Sequence, residues 1–117
     1  MKRIQKIQYK GKEIIYVNYA GLREKEMIEV LGQVEALILS DNKPHLQLVN
    51  ITDAFATPGY MAAVKKFGKK TQGLTSKAAI VGISGVKALL LRSYNFVSGS
   101  KLIAFNTEEE AKEYLIK

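Results

Sequence analysis

From Glu13 onward the chain switches repeatedly between two hydrophobic periods, and that alternation limits its fold more than any other feature. Short β-branched runs are each followed by a longer stretch whose apolar residues recur every three or four positions. Strands separated by helices of this length join one sheet through right-handed crossovers and run parallel. "EIIYVNY" (13–19), "HLQLVNI" (45–51), "KAAIVGI" (77–83) and "KLIAF" (101–105) read as the strands. "RIQKIQY" (3–9) alternates and reaches Glu13 through "KGK", so it predicts a hairpin and an antiparallel edge strand. Lys2, Arg3 and Lys6 on that edge discourage pairing with other chains.

The first helix is expected over roughly Glu24 to Ser40, with Met27, Val30, Leu31, Val34, Leu37 and Ile38 on its apolar side. "SDNKP" ends it. "TPGYMAAVKKFGKKT" (57–71) predicts a second helix, in which Met61, Val64, Phe67 and Gly68 share one side. Lys65, Lys66, Lys69 and Lys70 fall within an arc of roughly 140° on the other. "SGVKALLLRSYNFV" (84–97) reads as a third helix, and "NTEEEAKEYLIK" (106–117) as a fourth that opens on the capping pair Thr107 and Glu110. The expected class is α/β, in the order β-β-α-β-α-β-α-β-α. It has a mostly parallel sheet, one antiparallel edge strand and helices covering it, and 117 residues form one domain (1–117).

Charge is distributed unevenly. Residues 1–53 carry 8 Lys/Arg against 7 Asp/Glu, residues 54–107 carry 8 Lys/Arg and no acid, and residues 108–117 carry 2 Lys and 4 Glu. The net +7 therefore comes from the middle of the chain, where a field of one sign attracts anions or acidic surfaces. The aromatic residues of that stretch fall mainly at positions expected to be buried, which argues against nucleic acid. Without cysteine there is no thiolate chemistry. "MKRIQKIQYK" lacks the apolar core of a signal peptide, and the apolar runs are too short for a transmembrane segment. A cytoplasmic location is the expectation.

In a parallel sheet the loops that follow the strands gather at the carboxyl edge, where ligands usually sit. Tyr19-Ala20-Gly21, Asp53 to Gly59 and Ser84-Gly85 belong there, each leading into a helix whose first N–H groups suit an anion. The candidate binding residues are Asp53, Thr57, Gly59, Ser84, Gly85 and Lys87. Thr57 with Pro58 behind it is also an ordinary helix start, and Asp53 suits an Asx turn. His45, the sole histidine, has no Ser or Asp partners in pattern and is expected to be structural. No metal set or acid/base pair is visible, so neither a metal, a cofactor nor catalysis is expected. The helix "VKALLLRSYNFV", apolar around much of its circumference, suits burial, a homodimer contact or a cover over an apolar ligand.

Several segments together, "YKGKEIIYVNYAGLREKEMIEVL", "FGKKT" and "KAAIVGISGVKALLLRSYNFVSGSKLIAFNTEEEAKEYL", resemble the SpoIIAA-like, STAS-type family of small bacterial proteins. The resemblance runs from about Tyr9 to Leu115. It implies a compact four- or five-stranded sheet flanked by helices and a non-catalytic role. STAS domains typically bind protein partners, some under control of a Ser or Thr phosphorylated at the start of the second helix, and others bind nucleotides or apolar ligands. This chain departs from the D-S-[ST]-G pattern of that switch. If Gly59 matches its glycine, Pro58 holds the phosphorylated position, Ala56 replaces the acid, and Thr57 is the one hydroxyl left to accept a phosphate. The expectation is a regulatory or protein-interaction module that binds an acidic partner or anion at the carboxyl edge. The alternative is a carrier of a small apolar or amphipathic, lipid-like ligand.

Overall fold

The computed structural model describes residues 3–54, 57–71, 73–83 and 102–117. In chain order the elements are β1 (Ile4–Tyr9), β2 (Lys12–Asn18), α1 (Glu24–Asp41), β3 (His45–Asn50), α2 (Pro58–Lys70), β4 (Thr75–Val81), β5 (Leu102–Phe105) and α3 (Glu108–Leu115). The expected helix at 84–97 lies outside the described residues, as do Ser84, Gly85 and Lys87.

The strands form one sheet in the order β1-β2-β3-β4-β5. β1 pairs antiparallel with β2, from Ile4↔Val17 to Tyr9↔Lys12, across a turn in which Lys10 and Gly11 both have positive φ. β2, β3, β4 and β5 run parallel. The expected hairpin, antiparallel edge and parallel remainder are all present.

Each helix boundary has a local cause. At the start of α1 the Glu26 carboxylate accepts the Arg23 N–H at 3.3 Å. The helix ends one residue later than expected, at Asp41, where Asn42 turns left-handed and returns its N–H to Ile38. α2 starts on Thr57, whose side chain accepts the Tyr60 N–H, with Pro58 at the first helical position. Thr107 caps α3 by accepting the Glu110 N–H at 3.2 Å. The Glu110 carboxylate takes the Thr107 hydroxyl at 3.1 Å, a variation on the expected capping box.

β2 and β3 are apolar on both faces because both faces are covered. On one face Ile15, Val17, Tyr19, Val49, Ile51 and Ile80 pack with Met27, Val30, Leu31, Val34 and Ile38 of α1 and with Tyr60 and Phe67 of α2. Successive crossovers move along the sheet in one direction, so right-handedness puts α1 and α2 on the same face, side by side. On the other face Ile14, Leu48, Ala79 and Val81 meet Ala111 and Leu115 of α3.

Candidate functional site

At the carboxyl edge the first two parallel strands end in twin turns. Asn18 and Asn50 are register partners, and each side chain accepts the backbone N–H two residues on, from Ala20 at 2.9 Å and from Thr52 at 3.0 Å. Leu22 then donates to the Tyr19 carbonyl and Ala54 to that of Ile51, closing two β-turns whose third residues, Gly21 and Asp53, are left-handed. The sequence carries this as "NYAG" and "NITD", a match too short and too degenerate to register as a repeat. The Asx turn expected of Asp53 is thus made by Asn50. Asp53 is exposed and occupies the position that glycine holds in the twin.

The turns sit close together. Gly21 donates to the Thr52 carbonyl at 3.1 Å, and Arg3 Nη1 donates to the Ala20 carbonyl at 2.9 Å. A Cβ on Gly82 would lie 2.5 Å from the Thr52 nitrogen, and its φ of 84° also selects glycine.

At the start of α2 Thr57 and Gly59 face an occupant the sequence did not reveal. The Thr57 hydroxyl donates to the Glu24 carboxylate at the start of α1, and that carboxylate lies where a Gly59 Cβ would point. A carboxylate at a helix N-terminus is favoured by the exposed N–H groups and the helix dipole. The anion at the start of α2 is therefore the chain's own side chain. Glu24 and Thr57 are 33 residues apart, so no local pattern signals their contact.

On the outer side of α2, Lys66, Lys69 and Lys70 are exposed and Lys65 is half-buried. Lys70 makes a loose ion pair with Glu35 of α1 at 3.7 Å. α2 itself contains no acid. The lysine face expected from the helical period is present, crossed at one point by Glu35.

The opposite face of the sheet holds two phenol–carboxylate bonds. Tyr16 donates to Glu108 at 2.5 Å, and Tyr9 to Glu113 at 2.6 Å. Asn50 Nδ2 also reaches Tyr16 and Glu108, at 3.2 and 3.4 Å. Burial, reinforced by Glu108, raises the Tyr16 pKa, while Glu113 raises those of Tyr9 and Lys10. Lys10, 2.5 Å away, and then Tyr9 lower the Glu113 pKa. These bonds fasten α3 to the hairpin and occupy the Glu108 and Glu113 carboxylates. Beside them Phe105, Glu109, Glu110, Glu113, Tyr114 and Lys117 line a shallow groove of about 400 Å³ that is open to solvent.

His45 sits at the opposite, amino edge, where its N–H donates to the Leu74 carbonyl. Both ring nitrogens are shielded and lack a hydrogen-bond partner among the described residues, and burial lowers its pKa. Among the described residues no cluster of His, Cys, Asp or Glu suits a metal ion, and no helix is long and apolar enough to cross a membrane.

The sheet order, the layering and the twin turns allow comparison with known structures. A crystal structure of an uncharacterized protein of the DUF3478 family from Shewanella loihica superposes with a TM-score of 0.73. The match covers 96% of this chain and 91% of the other, and that protein is described as having a SpoIIAA-like fold. This chain has the SpoIIAA-like fold. At 17% identity the likeness is one of architecture. No family model and no curated protein matches the sequence. Within the SpoIIAA-like fold Thr57 lies at the expected strand-to-helix junction, facing Glu24.

Proposed function

We propose that this SpoIIAA-like domain is a non-enzymatic interaction module that binds an acidic protein partner through the lysine face of α2. The observation that carries the reading is the contrast between the two ends of that helix. Its N-terminus already holds the Glu24 carboxylate, whereas Lys66 and Lys69 are exposed and have no ion pair among the described residues. An acidic surface meeting such a face gains more in association rate than in final affinity, and the gain is screened by salt.

The test is association with a labelled poly-glutamate peptide, followed at low and at high salt. Lys66→Glu with Lys69→Glu lowers the net charge from +7 by about 4 at two exposed positions, where substitution is expected to leave the fold intact. Association of the variant is expected to slow by about tenfold or more at low salt and to approach the wild-type rate at high salt. Equal rates at low salt would remove the lysine face from the proposal.

A further inference from the structure

We infer that the seam between α1 and α2 is a docking groove for an acidic amphipathic helix of the partner protein. This rests on the lysine-face reading above and specifies what that face receives. Ile28 and Leu39 are the exposed large hydrophobics among the described residues, 37% and 44% accessible. At 100° per residue they fall with Gly32 within about 40° of one another on α1. Gly32 lies inside the helix, where glycine weakens it relative to alanine. A Cβ there would meet nothing within 4 Å, so packing within the chain does not require glycine. Two apolar shoulders flank an open notch, a shape that admits another backbone or a bulky side chain.

α2 lies along this stripe. Glu24 reaches Thr57 at one end and Glu35 reaches Lys70 further on, so the two helices run parallel with their seam on the outer surface. On the α2 side the exposed Ala62, Lys66 and Lys69 fall within about 60° of arc. The seam thus has Ile28, Gly32 and Leu39 on its α1 side, beside Glu24 and Glu35 that bridge to α2, and a cationic, acid-free wall on α2. A helix seated in it would place apolar residues at i, i+3, i+4, i+7 and i+11 against Ile28, Gly32 and Leu39, and carboxylates against the lysines. A second copy of this chain fits less well, because it would bring another +7 charge to the same place.

The test uses two labelled synthetic peptides and the whole 117-residue chain. One peptide is an amphipathic helix with leucines along one side and glutamates on the other. The second keeps the glutamates and replaces the leucines with serine. The amphipathic peptide is expected to bind about tenfold more tightly or better, a difference worth about 1.4 kcal/mol. Gly32→Leu, and Ile28→Ser with Leu39→Ser, should abolish that preference while leaving thermal unfolding cooperative.

Equal binding of both peptides, unchanged by these variants, would overturn the groove and leave the lysine face standing. Failure of both peptides to bind would overturn both. Self-association that Ile28→Ser and Leu39→Ser remove would assign the seam to a second copy, against the inference. Binding to anionic lipid vesicles with the same variant dependence, and not to the amphipathic peptide, would assign it to a membrane and overturn it as well.

Discussion

Asp53 occupies a backbone conformation that its counterpart Gly21 adopts without a side-chain penalty. Both are third residues of the twin turns, with φ of 56° and 74°. For an L residue the left-handed region costs roughly 1–2 kcal/mol, less for Asp than for bulkier side chains, while glycine adds roughly 0.5–1 kcal/mol of backbone entropy to the cost of folding. The first term is the larger. Asp53→Gly is therefore expected to stabilise the domain by about 0.5 kcal/mol, read as a higher denaturation midpoint at unchanged m-value. A fall in the midpoint would mean that the Asp53 side chain holds the turn. At this scale the sequence was legible where the cause is local. Thr57 as a cap could be read from its neighbours, because the cap bonds to a residue three positions away. Glu24 could not, because its partner is brought to it by the crossover between β2 and β3.

At the scale of elements the helical period was a good guide, since the buried side of α1 is Met27, Val30, Leu31, Val34 and Ile38, as the spacing predicts. The period reveals the side that faces the core. It did not lead to the stripe of Ile28, Gly32 and Leu39, because scattered exposed apolar residues are ordinary on a helix. Gly32→Ala separates the helix's own preference from anything a partner requires. With nothing within 4 Å of the added methyl, it should stabilise the free domain by about 1 kcal/mol, checked by denaturant titration.

α3 behaves differently, since polar contacts help to hold it. The folded-state pKa of Glu113 lies below its ordinary 4.5, so its stabilisation is fully present above that pH and is lost as the pH falls through the lowered value. Tyr9 and Lys10 have raised values, so their contribution is present below about pH 10 and is lost at higher pH. Glu113→Gln should therefore lower stability by a constant amount between about pH 5 and pH 9 and converge with the wild type in acid. The pH dependence of the thermal midpoint tests this, and a gap that persists at pH 2 would assign the loss to packing rather than to charge.

Across the whole molecule, strand and helix alternation prescribed a parallel sheet with a hairpin edge, and the hairpin and sheet are there. The order of the strands was not written in any single segment. It follows from short crossovers taken in one direction, which place α1 and α2 together and leave α3 to cover the other face. Among the described residues the two faces are unequal as a result. One carries two helices with 18 and 13 residues, the other a helix of 8 whose buried side chains are Ala111 and Leu115. A helix this short has little stability of its own and depends on docking. Tyr9, Tyr16 and Lys77 supply part of that docking through the Glu113 and Glu108 carboxylates and the Tyr114 and Lys117 carbonyls. Bonds at a half-exposed rim contribute less than buried apolar area, so α3 should open more readily than the α1/α2 layer. Native-state hydrogen exchange is expected to show amides of α3 exchanging through a local opening, well below the free energy that protects Ile15, Val17 and Val49. Glu113→Gln should lower α3 protection further and leave those three unchanged in conditions where exchange is local. Equal protection across both faces would show instead that α3 is bound into the same cooperative unit as the sheet.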